Sequence, residues 1–266
     1  MNKKQVVTSL LLLAALLLGC KMSKETNSNR SSNTNGNAAK STDEPSKVNE
    51  DGTIASRSGT EKEKPEPGKG NVQGRVLYNE KPVAEIEVKL CEKFNQFIGG
   101  CGGQTFITKT DQNGEYLIKN VTPRIYEGLL VKVFDSNYYV FATSGIVQTA
   151  KYKINADETF FAPDTTLFKS DLKLVSPKAS AKVAANNIEF KWDPYPDAAY
   201  YKLSVYADSG SGAQPEYDFI GRKVEGESFT TDKPLTPGTY SIKLEAFNAN
   251  EVKLAESSRD NKFTVQ

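Results

Sequence analysis

The feature that most restricts what this chain can become is the period of two in its apolar residues from Asn71 onward. In "PVAEIEVKLCE", Ala84, Ile86, Val88 and Leu90 alternate with Glu85, Glu87 and Lys89. Successive side chains of a strand point to opposite faces, so the pattern predicts a half-buried strand. It returns in Ile188, Phe190 and Trp192, in Tyr201, Leu203 and Val205, and in Tyr240, Ile242, Leu244 and Ala246. "TDQNGEY" sets Asn113-Gly114 between two such runs, a hairpin signal in which glycine supplies the positive φ of the turn. Convincing helical periodicity is absent. The ordered part is therefore expected to be all-β, and its length from 71 to 266 suits two domains of ordinary size.

The N-terminal seventy residues have a different character. Lys3 and Lys4 precede an uncharged run from Gln5 to Gly19, which is shorter than the roughly 20 apolar residues a spanning helix needs. It fits the apolar region of a signal peptide. The ending Leu17-Leu18-Gly19-Cys20 resembles the lipobox of bacterial lipoproteins. That resemblance implies that residues 1–19 are removed, that Cys20 is acylated, and that the partner at this end is a membrane. It implies a place in the bacterial cell envelope, and Lys21 resembles outer-membrane sorting, on the periplasmic or the surface face. Residues 20–70 then read as the lipidated cysteine and a disordered tether. "ETNSNRSSNTNGNAAK" and "GTEKEKPEPGKG" hold no aromatic residue and too little apolar surface to offset chain entropy.

Charge and cysteine count narrow the chemistry. The net charge is +1, and loss of Lys3 and Lys4 leaves −1, so no electrostatic footprint for nucleic acid exists. Cys91 and Cys101 remain once Cys20 is assigned to lipid, and an even pair in an exported chain is expected to form a disulfide. The sequence contains no histidine, which excludes Ser-His-Asp triads, Cys-His pairs and the usual zinc sites. "GGCGG" lacks the strand, helix and lysine of a phosphate cradle. No cofactor and no catalytic residue is assigned. Glu85 and Glu87 read as solvent-facing charges of a strand.

Two family resemblances follow from longer stretches. "VQGRVLYNEKPVAEIEVKL" with "TKTDQNGEYLIKNVTPRIY" resembles the carboxypeptidase regulatory-like domain, a seven-stranded sandwich related to transthyretin. It implies a β-sandwich over residues 71–173 that carries no peptidase site and acts as a folding support or interaction module. Trp192, and Leu235-x-Pro237 leading to Tyr240, are similar to the core tryptophan and the tyrosine corner of fibronectin type III domains. They imply a second sandwich over 174–266 with Trp192 and Tyr240 in its core, the phenol bonded back to backbone. "ADSGSGAQPEYDFIG" is a longer connection than that family needs and leaves the register from Val205 to Phe229 open.

Two further groups carry possible chemistry. Asp111, Asn113 and Glu115 offer three oxygen ligands on a turn, a start for a calcium site or a plain hairpin. Tyr138, Tyr139 and Phe141, or Tyr217 and Phe219, offer either a sugar-stacking platform or strand packing. The expected function is a non-enzymatic lipoprotein that presents two β-sandwiches to a protein partner or an envelope assembly. The alternative is a polysaccharide- or peptidoglycan-binding lipoprotein.

Overall fold

A computed structural model of the chain describes residues 46–95, 100–143, 150–258 and 260–266. Cys20 and the signal segment 1–19 lie outside the described residues. The first half contains β1 (Thr53–Ile54), β2 (Gly70–Tyr78), β3 (Lys81–Pro82), β4 (Glu87–Asn95), β5 (Gly100–Lys109), β6 (Glu115–Val121), β7 (Arg124–Tyr126), β8 (Gly128–Lys132), β9 (Tyr139–Phe141), β10 (Lys151–Ile154), β11 (Thr159–Phe161) and β12 (Thr165–Leu167). The second contains β13 (Lys169–Leu172), β14 (Leu174–Ser176), β15 (Ala181–Val183), β16 (Glu189–Trp192), β17 (Tyr200–Ala207), β18 (Arg222–Val224), β19 (Ser228–Thr230), β20 (Gly238–Phe247), β21 (Lys253–Ser257) and β22 (Lys262–Val265). The fold is an all-β sandwich architecture.

In the first half, β2 is the hub of one sheet: β11 and β12 pair with it in parallel, β3 and β6 antiparallel. The opposing sheet runs β5-β4-β8-β9, antiparallel throughout. Val72, Val76, Tyr116 and Ile118 of the first sheet pack with Val88, Leu90, Leu129 and Val131 of the second in one buried cluster. In the second half a three-stranded sheet, β14-β16-β19, lies opposite β13-β21-β20-β17-β18, with β22 extending from β20 to β15. A separate cluster fills this half, including Phe190, Trp192, Leu203, Tyr240, Leu244 and Phe263.

The tether reading fails over residues 46–70, where part of the segment is packed. Thr53 and Ile54 pair in parallel with Lys151 and Tyr152, and Ile54 is 2% exposed within the first cluster. The physical reason is local. A short hairpin brings Val48 against Ile54, and the Asn71 and Gln73 side chains bond the Glu63 and Thr60 carbonyls at 3.0 Å each. Gly59 lies so close to the Phe161 ring that any Cβ would overlap it. Average composition gave no sign of these few anchored positions. Residues 20–45 lie outside the described residues.

The long connection after β17 is also built in. Phe219 on a 3-10 turn is fully buried in the second cluster, and β18 returns to pair Val224 with Tyr201. Its polar part folds back over the start of β20: the Ser211 hydroxyl lies 2.8 Å from the Asp208 carbonyl and accepts from the Thr239 amide at 3.1 Å. Gly238, at φ 147°, leaves room for the Ala213 backbone that a Cβ would strike.

Candidate functional site

Tyrosines close both sandwiches in the same way. Tyr240 is buried, and its hydroxyl lies 3.0 Å from the carbonyl of Thr236 and 3.3 Å from that of Gln214. Tyr126 is equally buried in the first half, and its hydroxyl donates to the Thr122 carbonyl at 2.9 Å, again four residues back. The sequences are "VTPRIY" and "LTPGTY". The shared Thr-Pro-x-x-Tyr spacing is the signal in the sequence for both, whereas the fibronectin type III resemblance points to the corner at Tyr240 alone. Trp192, 1% exposed, packs its ring 5.3 Å from Tyr201, and its indole N–H has no partner among the described residues.

Cys91 and Cys101 form a disulfide with Cα atoms 5.3 Å apart, joining β4 to the start of β5. The ladder between these strands shifts register between Cys91 and Lys93, where Gly103 takes φ +68° and the Gln104 amide donates to Glu92 Oε2 at 3.0 Å. The carboxylates Glu85 and Glu87 have separate partners. Lys109 reaches Glu85 at 3.0 Å, whereas Tyr139 donates to Glu87 at 2.7 Å and Lys89 lies 2.9 Å from it. These bonds, that from Tyr139 foremost, hold the Glu87 carboxyl below the usual carboxylate range.

The turn at Asp111 already holds a cation. Lys62 Nζ lies 2.6 Å from Asp111 Oδ2 and 2.6 Å from Glu115 Oε2, and its hydrogen bond lowers the Asp111 pKa. Asp111 Oδ1 accepts from the Asn113 and Glu115 amides, which accounts for its place in the turn. No cluster of three or more acidic, cysteine or histidine residues able to hold a metal occurs among the described residues. The aromatic candidates are dispersed in role. Tyr138 and Tyr217 are exposed, Tyr139 belongs to the Glu87 network, Phe141 stacks edge-on with Phe94, and Phe219 is core.

The outer face of the second sandwich carries a charge ladder. Lys253 lies 2.7 Å from Glu245 and 2.6 Å from Glu256, and Lys243 lies 2.9 Å from Glu245. Burial alone would raise the Glu245 pKa, but hydrogen bonds from Lys253 and Lys243 outweigh it and hold the carboxyl below its ordinary value. Beside this ladder Tyr200 and Phe247 stack at 5.2 Å, with Lys223 and Lys202 over their rings.

A polar clasp joins the two halves. Asn79 and Glu80, both at positive φ in the β2–β3 turn, meet the β20–β21 loop and Asp197. Asn79 Nδ2 donates to Asp197 at 2.8 Å. Asn248 Nδ2 donates to Asn79 Oδ1 at 2.9 Å, and Asn250 Nδ2 donates to Glu80 at 2.8 Å. The groove beside them measures about 570 Å³ and is lined by amides and charges. A second polar cleft of about 400 Å³ lies between Arg57, Gly59, Gln73, Arg75 and Asp164, where Arg75 is paired with Asp164 at 2.5 Å.

No protein-family model matches the chain, and no curated protein matches it in sequence. Solved structures similar to it include the FN1–FN3 domains of chicken CNTN1, at 16% identity and TM-score 0.27 over 76% of this chain and 67% of that one. The major pilin SpaD of Corynebacterium diphtheriae aligns at 12% identity and TM-score 0.26 over 71% and 64%. BcpA, the major pilin subunit of Bacillus cereus, aligns at 13% and 0.25 over 74% and 69%. At these TM-scores the likenesses carry no argument about function.

Proposed function

We propose that the chain is a non-enzymatic, lipid-anchored protein of the bacterial envelope that presents two β-sandwich modules, held off the membrane, for protein interaction or envelope assembly. The observation that carries the non-enzymatic part of this reading is that, among the described residues, the candidate groups the sequence singles out are bonded into the scaffold. Lys62 closes the Asp111 turn, Tyr139 and Lys89 hold Glu87, and the two described cysteines are joined. The lipobox resemblance at Leu17–Cys20 and the polar stretch after it supply the anchor and part of the spacing. Acyl chains hold a protein at a bilayer without a spanning helix, at about 0.8 kcal/mol per buried CH₂.

Cys20→Ala tests the anchor: the variant is expected to lose lipid labelling and to leave washed membranes, and full retention would overturn it. Pull-down from detergent-solubilised envelope, run beside a glycan array, tests the partner class. Recovery of a specific protein supports the interaction reading, and glycan binding without one replaces it.

A further inference from the structure

β5 ends its sheet: β4 pairs along one side, and among the described residues no strand pairs along the other. Its neighbours fix where its backbone groups point. The Thr110 amide donates to the Ile86 carbonyl at 3.0 Å, and on the far side of β4 the Glu127 amide donates to the Cys91 carbonyl at 3.1 Å. Each residue of an antiparallel strand sends both backbone groups to one side, alternating along the strand. Val88 and Leu90 therefore bond toward β5, and their partners Thr108 and Phe106 bond back. Thr105, Ile107 and Lys109 are left presenting N–H and C=O to the free edge.

A free edge is a template for another strand, and folded proteins blunt such edges with brevity, charge or bulges. β9, β13, β18 and β19 are only three or four residues long. β6 is longer but carries Glu115 and Lys119, ion-paired with Lys62 and Glu63. The run from Thr105 to Thr108 carries no charge, and Lys109, paired with Glu85, stands only at its end. Its strand is irregular earlier, at Gly103, the sequence has no charge between Lys93 and Lys109, and Ile107 is 60% exposed.

We propose that this edge pairs with the same edge of a second copy of the chain, antiparallel about a two-fold axis through Ile107. Self-pairing requires outward-directed residues to face one another, and only an axis at Ile107 places all three in register. Ile107 then faces the partner's Ile107, and Thr105 faces the partner's Lys109, and the reverse. Each facing pair exchanges two backbone hydrogen bonds. The lysines lie at opposite ends of the paired run, so no like charges meet, and the two exposed isoleucines cover each other. The disulfide holds β4 and β5 together near the edge. A foreign strand would find the same backbone groups; the two-fold register adds burial of the two exposed isoleucines against each other and keeps the lysines apart. A lipid anchor would confine copies to one plane and raise their effective concentration.

The inference names a partner for the interaction-module reading and rests on it. Ile107→Cys in the full chain tests it, because facing residues of a hydrogen-bonded pair have Cα atoms about 5.5 Å apart, within disulfide range. Under mild oxidation the variant is expected to give a cross-linked dimer, whereas Tyr138→Cys, at a position even more exposed but away from this edge, gives none. Ile107→Lys should abolish self-association in sedimentation measurements, since it sets like charges at the axis. Absence of the cross-link, equal cross-linking at both positions, or unchanged association of the lysine variant would overturn the second-copy proposal. A monomer that still captures an envelope protein would do so too, while leaving the interaction reading intact.

Discussion

Tyr126 and Tyr240 are the residues on which each sandwich turns back on itself. Each phenol satisfies a carbonyl four residues upstream, and a net hydrogen bond of this kind is worth about 0.5 to 1.5 kcal/mol. Tyr126→Phe and Tyr240→Phe should each lower the stability of their own sandwich by about that amount in denaturant titration, each leaving the other sandwich's midpoint almost unchanged because the residues belong to separate clusters. Trp192 differs, for its buried indole N–H contributes no bond among the described residues. Trp192→Phe should therefore cost much less than Trp192→Ala, for which loss of a buried aromatic predicts about 3 to 5 kcal/mol.

At the scale of strands, the charge ladder on β20 and β21 gives the fold an acid limit. The folded Glu245 carboxyl has a depressed pKa, so its contribution is present above the unfolded value near about 4.3 and is lost as pH falls through the folded one. Glu245→Gln should flatten the fall in stability below about pH 5 in chemical denaturation read across pH. Alternation made the inward faces of these strands legible: Ile188, Phe190 and Trp192 are buried together, as are Tyr240, Ile242 and Leu244. It could not show Tyr200 and Phe247, which occupy the opposite face yet are 5% and 9% exposed. Lysine stems and a facing ring cover them, an arrangement set by neighbouring strands and invisible in either segment alone. The same limit hid Lys62, whose partners lie about fifty residues downstream and whose own surroundings are polar.

Across the whole molecule, two hydrophobic clusters meet through polar groups rather than shared core. Glu80 accepts from both Asn248 and Asn250, so Glu80→Ala should speed protease cleavage near residues 167–173 while leaving each cluster's unfolding midpoint almost unchanged. The second cluster begins with Leu172, because β13 pairs with β21, and so it starts two residues before the boundary expected at 174. That the halves fold as separate cores is the central claim. Its most direct test is hydrogen exchange of the full-length Trp192→Ala variant, resolved by peptide. The account predicts that protection is lost across 172–265 and retained in β2, β4 and β8; simultaneous loss of protection in those three strands would contradict it.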